Sequence, residues 1–129
     1  MSQFLIVDDS ATARKFIIRC LEMSGCEDAT FLEANNGENA LKILKEDSVD
    51  LVITDLNMPV MNGNQLLLKI KTNPSLTDTV VMLITSAENK DLKEDLMKKG
   101  AYEVLGKPIS PADMFPILQR LSLTGEDIA

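Results

Sequence analysis

At 129 residues the chain has the length of one domain, able to bury roughly two thirds of its unfolded surface without help from disulfides or a structural metal. Hydrophobic residues make up 45% and charged residues 26%, no stretch reaches the ~20 apolar residues of a bilayer-spanning helix, and a net charge of -7 argues against nonspecific nucleic-acid binding. There is no histidine, which excludes His-based acid–base catalysis, and the only cysteines, Cys20 and Cys26, lie outside any Cys/His grouping, so a zinc site is disfavoured and both read as small buried thiols.

Met1-Ser2-Gln3 leads straight into the apolar run Phe4-Leu5-Ile6-Val7, without a signal peptide, which makes the cytosol the expected compartment. That run ends in Asp8-Asp9 and reads as a buried strand with two acids at its exit. Ser10 suits the N-cap of a helix whose inner stripe holds Ala13, Ile17 and Cys20 or Leu21, with Gly25 placed to stop it. A thinner strand near Ala29 to Ala34 belongs at a sheet edge. Asn35-Asn36-Gly37 is a turn, and Glu38 to Glu46 a helix with Ala40, Leu41 and Leu44 at helical spacing.

The third strand, Leu51-Val52-Ile53-Thr54-Asp55, stops on a carboxylate, because Pro59 and Asn62-Gly63 impose a loop. A helix through Leu66, Leu67, Ile70 and Lys71 follows, ended by Asn73-Pro74. Val80 to Thr85 is a fourth apolar strand. Glu88 to Lys99 is a charged helix anchored by Leu92, Leu96 and Met97 and ended by Gly100. A fifth strand, Ala101 to Gly106, leads to Lys107-Pro108. Ser110-Pro111-Ala112-Asp113 is a helix start, and Pro116 inside that helix predicts a kink or a later start. Strands alternating with helices call for an α/β fold, a doubly wound parallel sheet of five strands covered by five helices.

In such a sheet ligands bind at the carboxyl ends of the strands. The exits gather Asp8, Asp9, Asp55, Thr85 and Lys107 along one edge. Crowded carboxylates raise one another's pKa unless a cation intervenes, and Mg2+, a hard ion that takes oxygen ligands, suits them. A carboxylate beside Mg2+ can act as nucleophile toward a phosphoryl group, with the Lys107 ammonium neutralising charge and the Thr85 hydroxyl donating to a phosphoryl oxygen. Each residue alone also has an ordinary structural explanation: a helix-start acid, a β-former, a surface charge.

The set Val7-Asp8-Asp9-Ser10, Thr54-Asp55-Leu56-Asn57-Met58-Pro59 with Gly63, Ile84-Thr85-Ser86 and Gly106-Lys107-Pro108 resembles the receiver domain of bacterial two-component response regulators. The likeness runs from about Phe4 to Leu121. It implies a flavodoxin-like sheet of order 2-1-3-4-5, with Asp55 as phosphoacceptor. It also implies Mg2+ held by Asp9, Asp55 and the Asn57 backbone carbonyl, with Asp8 assisting through water. Thr85 is then the switch hydroxyl and Lys107 the phosphoryl contact. A histidine kinase is the implied donor.

Two positions depart from the family's pattern. Val104 stands where an aromatic usually reports the movement of the switch threonine; Tyr102, two residues back, is expected on the same strand face about 6.6 Å away. Ala87, two past Thr85, offers no group to orient a hydrolytic water. Because the chain stops at Gly125 to Ala129, soon after the fifth helix, the sequence reads as one stand-alone domain, residues 1–129, that acts on a protein target in trans without membrane insertion or direct nucleic-acid contact. Homodimerisation on phosphorylation stays open. So do a relay or phosphate-sink role and a phosphorylation-independent docking module. A haloacid-dehalogenase-like phosphatase is less favoured, since its second Asp would fall at Asn57. No turnover enzyme activity is expected beyond the domain's own phosphorylation and dephosphorylation.

Overall fold

The computed structural model describes residues 2–87 and 89–124. Its strands are β1 (Gln3–Val7), β2 (Thr30–Ala34), β3 (Leu51–Asp55), β4 (Val81–Thr85) and β5 (Glu103–Gly106). They form one parallel sheet of order β2-β1-β3-β4-β5. The helices are α1 (Ala11–Met23), α2 (Gly37–Glu46), α3 (Gly63–Lys71), α4 (Lys90–Lys98) and α5 (Pro111–Arg120).

The period-two geometry of the strands sorts their side chains into two cores. Phe4, Ile6, Leu51, Ile53, Met82 and Ile84 point to the face covered by Ile17 and Leu21 of α1 and by Met114, Ile117 and Leu118 of α5. Leu5, Val7, Val52, Val81 and Leu83 point to the other, under Ala40 and Leu44 of α2, Leu66, Leu67 and Ile70 of α3, and Leu96 of α4. Every residue of β3 and β4 is buried, which is why those stretches carry continuous apolar runs. β2, thin in apolar residues, sits at the edge as expected.

Local signals set the helix ends. The Ser10, Asn36, Asn62, Asn89 and Ser110 side chains each accept a backbone N–H from the first turn of their helix, and Asn62–Gln65 and Ser110–Asp113 form reciprocal capping boxes. α1 and α4 close on Gly25 (φ 104°) and Gly100 (φ 108°). In both, the residue after the glycine donates back to the carbonyl of the third-last helical residue, Cys26 N to Leu21 O and Ala101 N to Leu96 O, as in Schellman ends.

The sequence reading needs four adjustments. α2 begins at Gly37 and not Glu38, because Asn36 caps it. The expected start of α4 at Glu88 lies outside the described residues, as does the Gly125 to Ala129 terminus; among the described ones the helix begins at Lys90. Its anchors are Leu96, fully buried, and Leu92, partly buried, whereas Met97 is 39% exposed. α5 starts where its capping box puts it and runs through Pro116, so no later start occurs. The carbonyl that Pro116 cannot bond is that of Ala112, and both residues are exposed to water.

Tyr102 is the fourth adjustment. β5 begins only at Glu103, after the left-handed turn at Gly100, so strand alternation does not extend back to residue 102. Tyr102 packs toward the α1/α5 core and Val104 into the opposite one. The two do not share a face.

Candidate functional site

The hydrogen-bond ladder of the sheet continues one residue past the strands. Asp8 N donates to Ala34 O (3.1 Å), Leu56 N to Ile84 O (2.9 Å) and Lys107 N to Thr85 O (2.9 Å). Strand register, with Val7 beside Thr54, Asp55 beside Ile84 and Thr85 beside Gly106, lines up the exits. Site residues far apart in sequence are therefore fixed to neighbouring strands by backbone bonds.

Asp8, Asp9 and Asp55 each bring a carboxylate oxygen into a cluster whose atoms lie within 4.8 Å of one another. Asp8 is 1% and Asp55 6% exposed, while Asp9 lies open to solvent. Lys107 Nζ stands 3.3 Å from Asp55 Oδ1 and 3.7 Å from Asp8 Oδ2, a partly exposed cation facing two buried anions. Ser10 N donates to Asp8 Oδ1 (2.9 Å), but Asp8 Oδ2 is buried without a hydrogen-bond partner among the described residues. Burial is the main cause that pushes the Asp8 carboxyl above the usual 3.8; the Asp55 charge adds to it, against the Ser10 N–H and Lys107.

Three converging carboxylates, one with an orphaned oxygen, make a donor set that suits a hard divalent cation such as Mg2+. Thr85 is fully buried, and its hydroxyl accepts the Ala87 N–H at 3.1 Å. Asn57 is exposed in the loop after Asp55. Val104, 1% exposed, lies two register positions before Thr85, paired with Leu83.

Several contributors carry no sequence motif that pairs them with the site. Arg14 NH1 donates to the Asp8 backbone carbonyl (2.7 Å) while Arg14 Nε bonds Glu33 Oε1 on β2 (2.9 Å). The loop from Asn57 to Asn62 is tied to α2 by Gly37 N to Met61 O (3.3 Å), and the Met61 side chain lies where any Cβ on Gly37 would clash, at 2.8 Å. Within that loop Val60 adopts φ 70° and is 73% exposed. Beside Asp8 and Lys107 opens an apolar groove of about 390 Å³, lined by Thr12, Phe16, Ile17, Pro108 and Ile109.

Residues 4–119 match the family model of the response regulator receiver domain. The chain is 33% identical to a chemotaxis protein CheY homolog of Campylobacter jejuni, over 95% of this chain and 94% of that protein. It is 35% identical to the two-component response regulator ARR15 of Arabidopsis thaliana over 95% of this chain, which spans 63% of that longer relative. Among solved structures, a response regulator receiver domain protein from Clostridium thermocellum superposes with a TM-score of 0.81 at 30% identity, covering 94% of each chain. With the sheet order and the acidic strand exits on the same edge, these matches place the chain in the receiver domain family of two-component response regulators.

Proposed function

We propose that Asp55 accepts a phosphoryl group from the phosphohistidine of a histidine kinase, and that the phosphorylated form changes its affinity for a protein partner. The observation that carries the reading is Lys107 Nζ at 3.3 Å from Asp55 Oδ1, inside a cluster of three carboxylates. An Asp55 carboxylate oxygen attacks phosphorus, the P–N bond to the kinase imidazole breaks, and the electron pair leaves on the ring nitrogen. Receiver domains bind Mg2+ at an acidic pocket, and the ion supplies charge neutralisation for the transferring oxygens. Asp8, Asp9 and Asp55, with the Asn57 carbonyl, would hold it. Lys107 is placed to meet the phosphoryl group once it sits on Asp55, and the Thr85 hydroxyl to donate to it after releasing the Ala87 N–H.

The groove between α1 and the loop before α5 suits the donor protein, since it is apolar and borders Asp8 and Lys107. On the output side the surface of α4, β5 and α5 is tied together by Glu103, which meets Lys93 of α4 (3.1 Å) and Arg120 of α5 (3.9 Å). Phosphorylation would bias that surface between two arrangements. Val104 is too enmeshed in the core to swing as an aromatic reporter would, so the change would pass through the Thr85 backbone and α4. Among the described residues no helix is long and apolar enough to cross a membrane.

Incubation with acetyl phosphate and Mg2+, followed by intact mass, tests the assignment. A single phosphoryl adduct that is lost in Asp55→Asn supports it. Sustained release of phosphate over many turnovers would favour a phosphatase, and no adduct would favour a docking module.

A further inference from the structure

Beside its ion pair with Lys107, Asp8 is held by three hydrogen bonds. Its N–H donates to Ala34 O, its carboxylate takes the Ser10 N–H, and its carbonyl takes Arg14 NH1. The last bond differs in what it controls. The Asp8 carbonyl is half of the planar Asp8–Asp9 peptide unit, so fixing that oxygen fixes the plane from which the Asp9 Cα departs. The Asp9 side chain is exposed, and no hydrogen bond to it is found among the described residues; its place in the carboxylate cluster depends on the backbone that leads to it.

We infer that Arg14 is a positioning residue for the metal site: anchored by Glu33, its guanidinium sets the Asp8–Asp9 peptide plane and hence the direction from which the Asp9 carboxylate enters the cluster. The inference rests on the Mg2+-dependent reading of that cluster. Arg14 suits the task because a planar guanidinium can bond two acceptors in fixed geometry, here a carbonyl at 2.7 Å and a carboxylate at 2.9 Å. The side chain is 16% exposed, so its fork is held and not swept through solvent. Glu33 in turn receives Lys15 Nζ on its second oxygen at 3.0 Å, an exposed contact that does not touch Asp8.

Charge and geometry make opposite predictions. Removing a cation near an acidic site strengthens divalent binding by Coulomb's law alone. Loss of an orienting contact weakens it, by roughly 10- to 100-fold for partners of metal ligands. The test is a calorimetric titration of Mg2+ into the full chain and its variants, with thermal unfolding recorded for each. Arg14→Met keeps the packed stem and removes the fork, and is expected to bind Mg2+ about tenfold more weakly despite its lost positive charge. Arg14→Lys keeps the charge but has one ammonium for two acceptors, and should fall between. Lys15→Met should bind as the wild type or slightly tighter.

A folded Arg14→Met that binds Mg2+ as tightly as the wild type, or more tightly, overturns the inference. If Arg14→Met does not fold, wild-type affinity in Arg14→Lys overturns it instead. A wild-type chain that takes no Mg2+ overturns the metal-dependent reading and the role of Arg14 with it, whereas Mg2+ binding that weakens in Arg14→Met but is untouched by Asp55→Asn counts against Asp55 alone.

Discussion

A Cβ on Gly63 would stand 2.5 Å from the Asp55 carbonyl oxygen and 3.0 Å from Leu56 Cα, so the first turn of α3 rests on the backbone that carries the proposed phosphoacceptor. The Gly63 N–H also donates to Leu56 O at 2.9 Å. Glycine is required here by close approach, since its φ is ordinary. Gly63→Ala must push α3 or the strand end away, and urea unfolding should show a loss of about 1–3 kcal/mol. Wild-type stability in that variant would mean that the approach is looser than described.

Asp8 gives a pH signature. Its folded pKa lies above 3.8, so the native state holds this proton more tightly than the unfolded chain does. Stability contributed by Asp8 is therefore present below pH 3.8 and is lost as pH rises through the folded pKa. In metal-free buffer at neutral pH, Asp8→Asn should raise the unfolding midpoint, because the amide still accepts the Ser10 N–H without a buried charge. The gap between variant and wild type should close as pH falls toward 3.8, measured by denaturant midpoints across that range. Glu33 acts in the opposite sense, its pKa being lowered by Arg14 and Lys15, but it is common to both proteins and drops out of the difference.

Val60 is a β-branched residue at φ 70°, a conformation that costs on the order of 1–3 kcal/mol. Its side chain is 73% exposed and recovers little of that by packing. Val60→Asn, which tolerates the left-handed region, should raise the melting temperature by about 4 °C. An unchanged or lower melting temperature would remove strain as the account of this residue.

The groove beside the site predicts a split between donors. Phe16, 50% exposed at its rim, is available to a protein but remote from the needs of a small phosphodonor. Phe16→Ser should lower the ratio of kinase-driven to acetyl-phosphate-driven phosphorylation roughly tenfold. Equal slowing with both donors would place the effect in the fold and not in docking.

Cys26 is 3% exposed, and burial pushes its thiol up to about 11. Its Sγ donates to Leu123 O at 3.4 Å. Because the thiolate is the nucleophile, Cys26 should react with a maleimide at pH 8 about 100-fold more slowly in the native protein than after unfolding, as followed by peptide mass mapping. Fast native labelling would contradict its burial.

The elements were legible because each is announced locally. Apolar runs bounded by Pro, Gly and Asn mark buried strands, and Ser10 and Ser110 sit where caps are needed. The acidic exits were legible for the same reason: once a strand's end is fixed, the next residue is on the binding edge. What failed was anything that depended on phase beyond an element's end. Tyr102 was assigned a face by alternation, yet the chain reaches it from the turn at Gly100 before alternation begins. Met97 has the right spacing on α4 and still faces water, because that helix meets the sheet mainly through Leu96 and Leu92.

By itself, then, the sequence determined the strand and helix order, the parallel sheet, and which side chains leave the strands at one edge, since these follow from periodicity and turn chemistry a few residues at a time. Only the tertiary structure decided how those side chains meet. The 3.3 Å from Lys107 to Asp55, the 3.7 Å from Lys107 to Asp8 and the bond from Arg14 to Glu33 each join residues from different elements. Such distances depend on strand register and helix docking, which are set by the packing of both cores at once and leave no mark in any single stretch of chain.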